Sequence, residues 1–513
     1  MKIKRYYWRK LMNKQDILQL FDKHYGDRYK VYVPSIKLEK NNYFFMVRDN
    51  HNKYLAGVGT REICKDFEGD NLEEFKIDKY ELIVKRCYLN HHNLNLLRGI
   101  FPHLNPSFCG LQPSFGTGDR LGIATPAHLQ AFQGKDIFPI LAQQSVREMA
   151  RTERNWQKVL DDAIWGCFEA GYEGPFGADA DHVKNIKELK EAVDCGFTMF
   201  TIDPSDFIRN DIEKLGKQEL NQLYNQIPNS KELEKLYLNR SYKIANQELI
   251  FDEDSLKEII LTYSEALNHV VKCYEFLKDY KKSNFDLEIS VDETPTVTSP
   301  LAHLFIVLEL QRRGVDFQNI ALHFLGDWQK GIEYIGNIEE FAKEFSLHAI
   351  LAKTIGGYKL SLHTGSDKFS VYPIFSRETG GLCHIKTAGT SWLEEAKVIT
   401  MKDPALYREI HRFALDNFEK DRASYNLTTD LSRIPDLDII PDSELINLFK
   451  KNDSRQLIHI TYGSILKAKD NKEKYIFKDR IFKVLFQYEE DHYRELSNHI
   501  GRHLELLELR RRE

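Results

Sequence analysis

From about residue 119 the chain alternates short, β-prone apolar runs with amphipathic segments of helical period, the pattern that builds βαβ units around a parallel sheet. The runs are Leu121-Gly-Ile-Ala, Phe138-Pro-Ile-Leu-Ala, Pro175-Phe-Gly-Ala, Phe197-Thr-Met-Phe-Thr-Ile, Phe285-Asp-Leu-Glu-Ile-Ser-Val, Ile320-Ala-Leu-His-Phe, Tyr358-Lys-Leu-Ser-Leu and Leu382-Cys-His-Ile. Eight strands over about 270 residues predict an α/β fold, a (β/α)8 TIM-like barrel. The interval from Asp203 to Asn284 is too long for one connecting helix and is rich in Lys, Glu, Leu and Tyr at helical spacing, so a helical insertion after the fourth strand is expected at about residues 205–283. Residues 1–115 mix short helical and strand-like pieces, among them Lys30-Val-Tyr-Val-Pro and Tyr43-Phe-Phe-Met-Val, and predict an accessory α+β region. The catalytic barrel is expected over 116–400 and a mainly helical region over 401–513.

Composition narrows the function classes. Of 513 residues, 42% are hydrophobic and 29% charged, which specifies a folded chain rather than a disordered one. With 72 Lys+Arg against 77 Asp+Glu the formal net charge is -5, too small a field to gather nucleic acid or an anionic membrane. The arginines that end the chain suit a helix C-terminus better than a nucleic-acid footprint. No stretch approaches the ~20 apolar residues of a membrane span. The N-terminal Met-Lys-Ile-Lys-Arg-Tyr-Tyr-Trp-Arg-Lys is basic enough for a signal n-region, but Asn13 to Asp16 interrupts it where an apolar segment should follow. Seven widely spread cysteines without a C-x-x-C pair read as reduced thiols, and the expected compartment is the cytoplasm.

In parallel barrels the chemistry sits just past the C-terminal ends of the strands. The eight runs lead to Thr125-Pro-Ala-His128, Gln143-Gln-Ser-Val-Arg147, Asp179-Ala-Asp-His-Val-Lys184, Asp203-Pro-Ser-Asp206, Asp292-Glu293, His323 with Gly326-Asp327, His363-Thr-Gly-Ser-Asp-Lys368 and Lys386-Thr387. Neutral imidazoles from separate strands can converge on a divalent metal with an oxygen ligand and open positions for substrate. His182, His323 and His363 are the first choice of ligands. His128, a little beyond its strand, is the reserve ligand or a group for a substrate oxygen. Asp181 beside a metal-bound His is placed as general base, and Glu293 as general acid or fourth ligand; an ordinary salt-bridged role is the alternative for both. Arg120, Arg147, Lys184, Lys368 and Lys386 make the mouth cationic, which suits a sugar acid, although several can pair with neighbouring aspartates. Gly116-Thr-Gly-Asp-Arg-Leu-Gly122 looks like a dinucleotide loop, but its last glycine is one place too far and it precedes the expected first strand. P-loop, nucleophile-elbow and H-E-x-x-H motifs are all missing from the sequence.

Gly116-Thr-Gly-Asp-Arg-Leu-Gly-Ile-Ala-Thr-Pro-Ala-His128, Gly177-Ala-Asp-Ala-Asp-His182, Thr198-Met-Phe-Thr-Ile-Asp-Pro-Ser205, Ser290-Val-Asp-Glu-Thr-Pro-Thr296 and Gly356-Gly-Tyr-Lys-Leu-Ser-Leu-His-Thr-Gly-Ser366 together resemble the tagaturonate epimerase family of hexuronate catabolism. The resemblance covers most of residues 110–400. It implies a cytoplasmic isomerase that interconverts D-tagaturonate and D-fructuronate with a divalent metal (Zn, Ni or Mn), ligated by His182, His323 and His363, with Asp181 and Glu293 as the acid/base pair. Arg120, His128, Lys184 and Lys386 are the expected substrate-binding groups. The expected partner is a small sugar acid, with neither nucleic acid nor membrane, and the sequence is compatible with a homo-oligomer without specifying one. Because C4 is β to both the C2 ketone and the C6 carboxylate, its direct deprotonation is poorly stabilised, and retro-aldol cleavage of C3–C4 followed by re-addition is the favoured route. A carboxylate-pair glycosidase and a non-catalytic sugar-acid sensor are the competing readings.

Overall fold

The computed structural model describes residues 14–508 apart from 41, 61–63, 78–79, 245 and 424; the basic stretch at residues 1–10 and Arg510 to Arg512 lie outside the described residues. Eight parallel strands close into a barrel in chain order: β1 (Ser114–Thr117), β2 (Phe138–Ser145), β3 (Gly177–Val183), β4 (Met199–Ile202), β5 (Asp286–Ser290), β6 (Asn319–Ala321), β7 (Lys359–Leu362) and β8 (Cys383–Thr387), with β8 pairing back onto β1. Alternate side chains such as Ala178, Ala180, Phe200, Ile202, Leu287, Ile289, Leu360, Leu362 and Ile385 face the surrounding helices in one continuous apolar core. The fold class read from the sequence is therefore present.

One strand differs. Leu121-Gly-Ile-Ala is not β1; the strand lies seven residues earlier, at Ser114, where Phe115 is the only large apolar side chain. Asp119 explains the difference: its carboxylate accepts hydrogen bonds from the backbone amides of Leu121 (3.1 Å), Gly122 (2.6 Å) and Ala124 (2.7 Å), and Gly122 takes φ +81. This side-chain-capped turn competes successfully with a strand ladder. The glycine-rich stretch thus begins inside β1 and runs on past its end rather than preceding the strand, but Asp119 already occupies the amides that a phosphate would need.

Residues before β1 form a six-stranded antiparallel sheet that includes Asn42–Arg48 and Lys53–Thr60. It docks on the barrel through Phe44, Phe101 and Phe168, the last on the barrel helix Trp156–Ala170. Between β4 and β5 lie helices Lys217–Tyr224 and Ser230–Tyr237, the 29-residue helix Glu253–Lys281, and a hairpin, Ser241–Ile244 with Gln247–Ile250, that the helical reading had not included. After β8, helices Thr390–Lys402 and Pro404–Arg422 and the segments beyond them build a second core around the fully buried Trp392. Among the described residues no helix is long and apolar enough to cross a membrane.

The last helix, Glu489–Glu508, returns to the barrel and is clasped there by charge. His499 Nε2 lies 2.6 Å from Asp367 Oδ1, and its Nδ1 lies 3.3 Å from Glu394. Arg455 holds the other Asp367 oxygen at 2.7 Å. His503 Nδ1 donates to the His499 carbonyl (2.8 Å), so its Nε2 accepts the Asp367 amide (3.2 Å). These commitments leave the Asp367–His499–His503 group, close-set as it is, as a structural clasp rather than a metal site. Burial would lower the His499 pKa, but Glu394 and Asp367 outweigh it and hold it above 6.5. A raised folded pKa gives stability that is complete below about pH 6.5 and is lost as pH rises through the folded value. In His499→Gln the dependence of Tm on pH above 6.5 should flatten; slopes identical to wild type would contradict the clasp.

Candidate active site at the mouth of the barrel

Strand alternation places the other half of the strand residues inside the barrel, where branched apolar side chains usually stack. Here the interior is charged. Lys386 Nζ lies 2.7 Å from Asp179, 2.8 Å from Asp181 and 2.6 Å from Glu288, and it also donates to Thr201. All four charged groups are buried. Burial works against the ammonium, yet the three carboxylates hold its pKa well above the ordinary lysine value. Burial also works against ionised Asp181, and Lys386, His182 and His363 overcome it, so Asp181 stays well below the usual carboxylate range. For Asp179 burial wins over Lys386, helped by Asp181 and Glu288, and its pKa is pushed up to about 6.

Two bulges aim the working side chains. Phe200 pairs with Ala180 and Ile202 with Val183, so Asp181 and His182 together oppose Thr201 alone, and His182 takes φ 51. A regular strand would turn one of these two outward; the bulge brings both to the interior. On β2 the register jumps from Leu141 to Gln144, Ala142 takes φ 58, and Gln143 reaches Asp181 Oδ2 at 3.1 Å. A left-handed non-glycine residue costs about 1–3 kcal/mol, and such strain gathers where a site needs a particular aim.

His182 and His363 meet ring to ring, with centroids 4.9 Å apart. His363 bridges Glu288 (2.6 Å) and Asp292 (3.0 Å). His182 lies 3.6 Å from Asp203 and 3.8 Å from Asp181. Burial disfavours charge on both rings, but Asp181, Glu293 and Asp203 push His182 up to about 10, and Asp292 and Glu288 push His363 up to about 9. The pocket is thus carboxylate-rich and draws positive charge.

Whether that charge suits a metal is decided by donors. One atom each from His182, Asp203 and Glu293 lie within 4.8 Å of one another, and His182 Nδ1 and Asp203 Oδ2 are buried without hydrogen-bond partners. An imidazole with two carboxylates fits a first-row divalent ion. His323 and His363 stand outside this close set. His323 Nδ1 donates to the Thr294 carbonyl at 2.6 Å, which leaves Nε2 as its acceptor, the orientation a ligating His adopts.

The cavity has an outer lobe of about 660 Å³, lined by Glu293, His323, Asp327 and Trp328, and an inner lobe of about 50 Å³, lined by Asp181, His182 and Lys386. Arg147, Lys330, His363, Thr364 and Tyr425 line both. Most of the expected substrate-binding cations are already engaged. Arg120 reaches the inner lobe, but its fork holds Glu148 at 3.1 Å and the His459 carbonyl at 3.0 Å, with Tyr462 stacked 3.7 Å away. Lys184 pairs with Asp206 (2.6 Å) and Asp203 (3.8 Å), and Arg147 with Glu293 (3.3 Å). Lys368 is fully buried, and burial pushes its pKa down to about 7. His128 lines neither lobe; it is buried against Ser391 (2.8 Å), and burial pushes it down to about 4.

A parallel barrel with titratable side chains converging in a cavity at its C-terminal mouth has the layout of an enzyme active site. The tagaturonate epimerase family model matches residues 32–507. The tagaturonate/fructuronate epimerase of Thermotoga maritima is 48% identical over 493 residues, covering 96% of this chain and 100% of that protein. The native crystal structure of fructuronate-tagaturonate epimerase from Cohnella laeviribosi is 38% identical and superposes with a TM-score of 0.90 over 96% of this chain and 99% of that one. A complex of that enzyme with two glycerols gives 39% and 0.89, over 97% and 99%. The chain belongs to the tagaturonate epimerase family and is an isomerase acting on carbohydrates.

Removing Lys386 would leave three buried carboxylates without their cation. Lys386→Met should lower unfolding free energy by about 3–5 kcal/mol in urea titration, and a loss below about 1 kcal/mol would show that the cluster is not the barrel's internal clamp.

Proposed function

We propose that the protein interconverts D-tagaturonate and D-fructuronate by metal-assisted inversion at C4, in the cytoplasm, where its seven free cysteines stay reduced. Family membership across residues 32–507 carries this reading. The polar interior supports it, since a carboxylate-pair glycosidase leaves His182 against His363 above a four-charge cluster unexplained.

His182, with Asp203 and Glu293 as near donors and His323 and His363 facing the same cavity, would hold the ion. A divalent ion there supplies Lewis-acid stabilisation of negative charge at the ketone oxygen. Asp181, kept ionised by Lys386, takes the proton from the C4 hydroxyl. The C3–C4 electron pair moves into C2–C3, giving an enediolate of the C1–C3 fragment and a C4 aldehyde on the C4–C6 fragment. The aldehyde turns, C3 attacks its other face, and a proton returns to the C4 oxygen. Gln143, hydrogen-bonded to the second Asp181 oxygen, fixes the base in its orientation.

Glu293 has two alternative duties, ligand or proton donor, and they separate experimentally. Metal-loaded protein should convert fructuronate to tagaturonate by NMR, lose turnover to a chelator and regain it with metal; turnover untouched by complete metal removal would overturn metal assistance. In Glu293→Gln a ligand role predicts metal content falling together with rate, whereas a proton-donor role predicts full metal content with kcat reduced about 100-fold or more.

A further inference from the structure

We propose that Lys330 binds the C6 carboxylate of the substrate and sets the preference of this site for sugar acids over neutral ketoses. The inference rests on the ketouronate reading above and names the group that recognises the acid.

Among the described residues, four lysine and arginine side chains line the two lobes: Arg120, Arg147, Lys330 and Lys386; the imidazoles of His182 and His363 lie against carboxylates. Three are neutralised by protein carboxylates: Arg120 by Glu148, Arg147 by Glu293, and Lys386 by its three acids. Lys330 has no carboxylate within ion-pair distance and touches only a neutral hydroxyl, donating to Thr364 Oγ1 at 2.8 Å. It stands where the lobes join, next to the loop that carries His363. A half-buried ammonium with spare donors, facing a cavity otherwise rich in carboxylates, offers an anionic ligand its one uncancelled positive charge there.

The backbone under Lys330 is built for fixed placement. Four consecutive carbonyls are captured by side chains from elsewhere: Gln329 by Lys368 (2.8 Å), Lys330 by Gln456 (3.3 Å), Gly331 by Arg455 (2.8 Å), and Ile332 by Lys368 again. The Gln329 side chain extends the network, donating to Asp327 (2.6 Å) and accepting from the Thr428 amide (3.0 Å) and Gln456 (3.0 Å). Gly331 at φ +72 permits the turn, and a Cβ there would meet His459 at 3.0 Å. This loop is held from two directions, by the buried Lys368 ammonium and by the helix Asn452–Ile460. A cation on such a platform loses little freedom when it binds, which is what discrimination by charge requires.

The test compares tagaturonate with D-tagatose, which has a hydroxymethyl group in place of the carboxylate. Lys330→Met, with Lys330→Gln as a second variant, should raise the KM for tagaturonate about 10- to 100-fold, change kcat by less than about 3-fold, and leave the inhibition constant of D-tagatose and the Tm unchanged. An unchanged KM, or equal weakening of tagaturonate and tagatose, overturns the assignment. Calorimetric binding of both sugars to wild type and variants is measured alongside. Lys330-dependent binding without wild-type turnover would count against the epimerase reading while sustaining the carboxylate contact; wild-type turnover with Lys330-independent binding would do the reverse.

Discussion

The interior of this barrel depends on one ammonium. Lys386 balances Asp179, Asp181 and Glu288 in the buried interior of the barrel, and each of those carboxylates would be costly as an anion without it. The arrangement sacrifices the branched apolar packing that fills most barrels and replaces it with charge held in fixed positions. Stability then comes mainly from the outer layer, where Phe200, Leu287, Ile289 and their neighbours meet the helices. One face of each strand packs against the helices, and the other carries the charged interior.

The same clamp shapes reactivity. Lys386 holds Asp181 ionised beside His182, as the proposed base requires, while Asp179 behind it is pushed toward neutrality. Above them His182 and His363 gather against five carboxylates, Asp181, Asp203, Glu288, Asp292 and Glu293, and the bulge at Asp181 and His182 makes that gathering geometrically available. Charge demand and backbone irregularity therefore point at one place on the molecule.

Much of this was legible in the sequence, and the exceptions have physical reasons. Seven strands were marked by their apolar runs; β1 was not, because Ser114-Phe-Gly-Thr carries one large apolar residue while the apolar Leu121-Gly-Ile-Ala is bent into a turn by Asp119. Asp181, His182, His323, His363 and Lys386 all reach the cavity walls as strand-end reasoning expected. Asp179 stood among the strand-end residues without a role and Glu288 lies short of its strand end, although Asp179/Asp181, Asp286/Glu288/Ser290 and Lys359/Ser361/His363 alternate polar with apolar in strands that should be buried on both faces. That alternation is the sequence signature of a charged barrel interior. Asp203 stood among the strand-end residues but was not chosen as a donor, since only the fold shows it beside His182. Lys330 sits seven residues past His323 in an irregular loop, and nothing local distinguishes it from a solvated lysine until its neighbours are seen to be neutralised.

In the proposed reaction the cluster around Asp181 inverts C4 by breaking and remaking C3–C4 rather than by exchanging the C4 hydrogen. Proton and carbon NMR of metal-loaded protein acting on fructuronate in deuterated water measures this directly. Tagaturonate should accumulate with its C4 hydrogen retained as protium; deuterium appearing at C4 in step with epimerisation would contradict cleavage of C3–C4.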